Sequence, residues 1–166
     1  MDDAQMAAWI EYASPNEHHD FLSKMAGQWN CKTRFWMQPG DDPAESTGTA
    51  ESKMTLDGRF LHIMYKGTMM GQPFLGMSVD GYDNQKQKYV GVWMDTMGTM
   101  MMQFEGTCDG KVREMFAEYT DPLTKSPTKM KGVTTIVSKD EHRYEGFNLG
   151  PDGEFFKSLE VVYTRR

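Results

Sequence analysis

The stretch YVGVWMDTMGTMMMQFEGTCDG, Tyr89–Gly110, decides how this chain folds. In its second half, MMMQFEGTC, a period of two sends Met100, Met102 and Phe104 to one side and Met101, Gln103, Glu105 and Thr107 to the other. The first set is expected to face a core, as the alternation of a half-buried strand requires. The first half, YVGVWMD, sorts less cleanly, because Val90, Val92 and Met94 are apolar and so are Tyr89 and Trp93. A strand of that kind is covered on both faces. Here the covers are expected to be a barrel interior on one side and the N-terminal helices or a partner subunit on the other.

The same alternation extends outward in both directions. Trp29, Cys31, Thr33 and Phe35 share one face; Leu61, Ile63 and Tyr65 look inward and leave His62 opposite. Near the C-terminus Leu159, Val161 and Tyr163 look inward while Ser158, Glu160 and Thr164 look out. Clusters of turn-forming residues (QPGDDPAE, LDG, MMGQP, DNQKQ, CDGK, DPLTKSP, SKDE, GPDG) separate the runs. About ten antiparallel strands are predicted, in an all-β barrel whose closure removes exposed sheet edges.

The first 26 residues read differently. SPNEHHDFLSKMAG predicts a helix over Pro15–Met25, with Ser14 as its cap, Pro15 at the first helical position, Glu17 completing a capping box and Gly27 as the stop. Upstream, DAQMAAWIEYA forms a second short helix whose Met6, Trp9, Ile10 and Tyr12 are too few to define a face. The expected organisation is one domain, a helical segment at 1–26 followed by a barrel at 27–166.

Composition bounds the function. The 166 residues carry 18 Lys and Arg against 24 Asp and Glu, a net charge of −6, and the basic residues are scattered rather than striped. Nucleic acids and anionic membranes are poor partners for such a surface. The N-terminus has no basic leader, and no run approaches the roughly 18 apolar residues of a membrane span; a cytoplasmic protein is expected. Cys31 and Cys108 match no zinc or redox spacing and are expected to be reduced and separate. No phosphate loop, dinucleotide fingerprint or serine elbow occurs, which leaves nucleotide chemistry and serine hydrolysis unsupported.

Methionine is in excess, 16 of 166 residues. Its thioether suits copper(I), but Met100 and Met102 share a strand face that Met101 does not, and the excess is spread along the chain. Core or pocket filling is the stronger reading, and neither metal nor cofactor is expected. His18, His19, His62 and His142 have no spacing that fixes a common site for zinc. Asp95 shares the face of Trp93. Its two readings are a carboxylate at the rim of an apolar cavity and a strand-end residue that accepts from turn amides or an arginine.

With these residues in view a family resemblance emerges. AGQW, ending at Trp29 after a short helix, resembles the Gly-x-Trp signature of lipocalins and other calycins. In those barrels the Trp packs under a basic residue of the last strand, and YTRR supplies Arg165 or Arg166 for that role. The segments EHHDFLSKMAGQW, STGTAES, DGRF, GQPFLGMSVDGYD, YVGVWMDTM, FEGTCDG and GPDGEFFKSLEVVYTRR together resemble the bacterial domain-of-unknown-function family 1579, from about Glu17 to the C-terminus. The resemblance implies a calycin-like barrel and hands over no activity. Thr96 and the methionines after it depart from the family's usual residues, so any pocket lining differs.

The functional expectation is a binding barrel for a small apolar or aromatic molecule, lined by Tyr65, Tyr82, Trp93, Met100, Met102 and Phe104, with Asp95 at its rim and Trp29 and Arg165 in structural roles. Two other readings stay open. One is an enzyme in which Asp95, Tyr82 or a histidine acts as acid or base. The other is a packed barrel that forms a homodimer through an exposed apolar strand.

Overall fold

The computed structural model describes residues 1–166. Helices α1 (Asp3–Ala13) and α2 (Glu17–Ser23) precede ten strands: β1 (Gly27–Phe35), β2 (Ala44–Thr55), β3 (Phe60–Met69), β4 (Gln72–Asp83), β5 (Lys88–Asp95), β6 (Met102–Asp109), β7 (Val112–Thr120), β8 (Pro127–Ser138), β9 (Glu141–Leu149) and β10 (Phe155–Arg165). Each strand pairs antiparallel with the next, and β10 returns to β1, so that a ten-stranded barrel closes. Neither helix is long and apolar enough to cross a membrane.

Local chemistry sets the turns. The β3–β4 hairpin has a two-residue loop, Met70–Gly71, with φ of 51° and 74°. Two positive φ values match the right-handed twist of the flanking strands, and the glycine supplies one of them without strain.

The helical segment differs from expectation in its caps. Ser14 donates its hydroxyl to the Ile10 carbonyl at 2.7 Å and ends α1, so it is not free to cap the next helix. Asn16 is the cap of α2, accepting from the His18 amide and forming a capping box with His19; Pro15 therefore lies outside the helix, and α2 starts at Glu17. α2 is amphipathic over its short length and buries His19, Phe21 and Leu22 against the end of the barrel. Phe21 and Leu22, with Met25, join Leu61, Tyr89, Met115 and Ile136 in one apolar cluster. α1 buries nothing. It is tethered by its C-terminal carbonyls: Asn84 Nδ2 donates to Tyr12 and Ser14, and Arg59 Nε donates to Ala13.

Trp29 sits at this helix-covered end. It is 1 % exposed, its indole N–H donates to the Met25 carbonyl at 3.0 Å, and the Arg165 guanidinium stacks 4.2 Å from the ring centroid. Arg165 ties the end together by donating to the carbonyls of Ala26 and Lys139.

The inward faces of β1 and β3 follow the alternation, and on β5 the inward set is Tyr89, Gly91, Trp93 and Asp95. Three expectations change. Ser158 is buried rather than outward, because a bulge between Lys157 and Leu159 turns it in, where its hydroxyl donates to the Gly146 carbonyl. Met100 precedes β6 in the connection from β5 and is 41 % exposed. The outer face of β5 is not covered by the helices, since α2 packs on β2, β3 and β4. That outer face carries Met64, Met77 and Met94 side by side across β3, β4 and β5, with Val79 beside Val92 in the next row. Both cysteines are free thiols; Cys31 is buried and its thiol is pushed up to about 12 by loss of water.

Candidate functional site: the barrel interior

Ten strands enclose more space than the roughly eight that side chains alone can fill or that hold one small ligand. Several of the interior rings lie against glycines of the wall. Tyr65 lies over Gly48 and Gly67, where an added Cβ would come within 2.7 and 2.8 Å of its hydroxyl; Tyr144 lies in the same way over Gly132, at 2.8 Å. Trp93 covers Gly76 so closely that a Cβ there would collide with the indole. Each ring is accommodated by a missing side chain in the wall, so it lies along the wall rather than across the lumen.

Two consequences follow. The apolar interior divides into separate clusters, one at the helix end and a second formed by Trp29, Cys31, Ala50, Tyr65, Phe74 and Val161, with Trp93 and Tyr144 against it. Inward residues midway along their strands, including Ile63, Phe104 and Tyr144, also keep accessible surface, although residues against α2 such as Leu61 and Tyr89 have almost none. That remaining surface faces the lumen. Tyr144 and Tyr163 nevertheless lie deep among protein atoms, where loss of water pushes the Tyr144 phenol up to about 12 and Tyr163 well above its ordinary value.

Among the residues expected to line a pocket, Tyr65 and Trp93 join the second cluster, and Met102 is the direct cross-strand partner of Trp93. Tyr65 is further fixed by a 3.0 Å hydrogen bond between its hydroxyl and that of Thr33. Phe104 packs toward the helix-end cluster. Tyr82 is not brought to the same place: it stacks on His18 at 3.8 Å and meets Tyr89 edge-on at the helix end. His18 in turn hydrogen-bonds the Tyr89 hydroxyl at 3.1 Å.

Asp95 serves its neighbours. Oδ2 accepts from the Trp93 indole N–H at 2.6 Å, and Oδ1 accepts from the Met97 amide at 2.8 Å. The carboxylate thus orients the tryptophan and starts the β5–β6 turn.

The interior also holds groups that alternation places but gives no reason to pair. Asp80 and Arg113, 8 % and 5 % exposed, form an ion pair at 2.8 Å between β4 and β7. Thr134 Oγ1 lies 3.4 Å from the same Nη2. Gly91 leaves room for the carboxylate: a Cβ there would stand 2.8 Å from Oδ1. In KVREMFAEYT the inner face reads Arg113, Met115, Ala117, Tyr119, and a lone arginine on such a face was the available signal.

His142 is 5 % exposed, stacked on Tyr163 at 4.3 Å and edge-on to Trp29 at 4.4 Å. Burial, then the positive charges of Arg165 and Arg113, hold its pKa down to about 3. Between that value and the ordinary 6.5 the unfolded chain binds a proton that the folded protein does not. This contribution to stability is therefore intact above about pH 6.5 and is lost as pH falls toward 3, at no more than about 1.4 kcal/mol per pH unit. Urea unfolding at a series of pH values should show His142→Phe losing less stability on acidification than the wild type. Parallel curves would refute the assignment.

No three His, Cys, Asp or Glu side chains converge as a metal site would require. One concavity lies outside the barrel, an open groove beside α1 lined by Trp9, Tyr12, Asn16, His18, Tyr82 and Asn84. One of its walls is a helix that buries no residue, so it lacks the enclosure of a small-molecule site.

Comparison with solved structures supports the barrel. Rv2717c from M. tuberculosis superposes with a TM-score of 0.67 at 16% identity, covering 92% of this chain and 99% of that one. The S-type phycobiliprotein lyase CPES from Guillardia theta superposes with a TM-score of 0.61 at 10% identity, over 95% and 96% of the two chains. At such identities the likeness is one of fold. Comparison with curated proteins gives no significant match. The family model described as Protein of unknown function (DUF1579) matches residues 14–165, nearly the whole barrel and α2 with it, and the chain belongs to that family.

Proposed function

We propose that this chain binds a small, largely apolar molecule reversibly inside the barrel. The observation that carries the reading is the set of rings laid over wall glycines, Tyr65, Trp93 and Tyr144, which presents aromatic surface to the interior. Met102 beside Trp93 adds a flexible thioether able to adjust to the shape of a guest. An acid or base role for Asp95 has less support, because both of its oxygens already accept hydrogen bonds from within the chain.

The test is a titration with an environment-sensitive apolar dye, followed by tryptophan quenching. Met102→Trp, which fills the space beside Trp93, is expected to weaken dye binding about tenfold or more, the effect of steric exclusion from a lumen of fixed width. Equal binding by both proteins, or none by the wild type at high micromolar dye, would sink the proposal.

A homodimer is favoured by one observation, the outward Met64, Met77 and Met94 row on β3–β5 that no element of the chain covers. Sedimentation equilibrium of the wild type and Met77→Lys measures it, with a dimer expected only in the first.

A further inference from the structure

The Asp80–Arg113 pair sits in a place that burial alone makes costly. A guanidinium has five N–H donors, and in a low-dielectric interior each unmatched one carries a desolvation penalty. Nη2 of Arg113 is used, on Asp80 Oδ2 at 2.8 Å and toward Thr134 Oγ1 at 3.4 Å. Nε and Nη1 are fully buried and have no partner in the protein. Buried polar groups left in this state are rare and mark a place for water or a ligand. Arg113 occupies an inward position of β7, 5 % exposed, with the Tyr89 ring 5.8 Å away and Tyr144 on the neighbour of Thr134 across the β8–β9 ladder.

The pair also limits the charge of what it can hold. Asp80 already neutralises Arg113 inside the barrel, so a carboxylate brought to the free N–H groups would add a buried negative charge with no counterion. A carbonyl oxygen accepts from one of these free N–H groups, since Nε–H and Nη1 lie on opposite sides of the guanidinium, and it leaves the local charge at zero. We propose that the Asp80–Arg113 pair anchors the polar end of the barrel's ligand and selects an uncharged carbonyl oxygen over a carboxylate. This rests on the barrel being a binding site. Within that site the wall rings hold the apolar body, and a free N–H of Arg113, from Nε or Nη1, holds the oxygen.

Three dyes built on one dimethylaminonaphthalene ring separate the possibilities: one carries a propionyl ketone, one a carboxylate and one a propyl chain. At neutral pH the wild type is expected to bind the ketone about tenfold or more tighter than either of the others, as a hydrogen bond to a charged donor implies. Arg113→Lys keeps the charge pair and loses Nε and Nη1, and it should bring the ketone to within about twofold of the propyl dye. The double variant Asp80→Leu/Arg113→Met removes both charges together, guards against misfolding from an unpaired one, and should behave in the same way. Equal affinity of ketone and propyl dyes in the wild type, or a preference for the carboxylate, overturns the inference and leaves the binding barrel standing. Failure of all three dyes to bind overturns both.

Discussion

Arg113→Met is expected to lower stability by about 3–5 kcal/mol, the cost of leaving one member of a buried ion pair without its partner. Asp80, 8 % exposed, would then hold a charge faced by no cation within hydrogen-bonding reach, because Arg113 is its only ion-pair partner. For a chain of this length such a loss lowers the thermal midpoint by about 6–20 °C. Adding Asp80→Leu should restore most of it, since a buried pair replaced by apolar side chains of similar volume is often neutral or stabilising. Thermal unfolding of the two single variants and the double variant forms a complete cycle. If the single and double variants unfolded together, the two charges would not depend on one another.

Trp29→Ala should cost a similar amount, about 3–5 kcal/mol, by a different route. The indole is 1 % exposed and is held from three sides: its N–H by the Met25 carbonyl, its face by Arg165 and an edge-on contact by His142. Truncation leaves a cavity and removes the surface on which Arg165 stacks, loosening the bonds from that arginine to Ala26 and Lys139. Trp29→Phe keeps the ring and should lose much less. Equal losses in denaturant unfolding for the two variants would show that volume at this position matters little.

The elements that could be foreseen are those whose cause is local. Alternation in RFLHIMY put Leu61, Ile63 and Tyr65 on the inner face because period two is a property of the extended backbone itself. Trp29 and Arg165 were legible through a short motif joined to the last strand. What escaped depended on competition or on distance. Ser14 was a sound cap until its hydroxyl was taken by the Ile10 carbonyl, and Ser158 obeyed alternation until a bulge reset the register. The pairing of Asp80 with Arg113 joins residues 33 apart in sequence across the lumen. No local pattern specifies it, because the curvature of the whole barrel decides which inward groups meet. The wall glycines were visible as letters, but their use as seats for Tyr65, Trp93 and Tyr144 depends on which strands lie side by side.

The return of β10 to β1 has a consequence for how the chain is made. Nine of the ten strand pairings join sequence neighbours and can form as hairpins while the chain emerges, but the tenth joins Phe35 to Leu159 and Trp29 to Arg165. The roughly 120 residues between Phe35 and Phe155 take about 6–24 s to synthesise. Throughout that interval β1 shows an unpaired row of N–H and C=O groups, and so does whichever strand was made last. Loss of β10 by truncation would make the condition permanent and expose two edges at once. Until β10 emerges the nascent barrel is therefore an open sheet, and protection from aggregation arrives only with that strand.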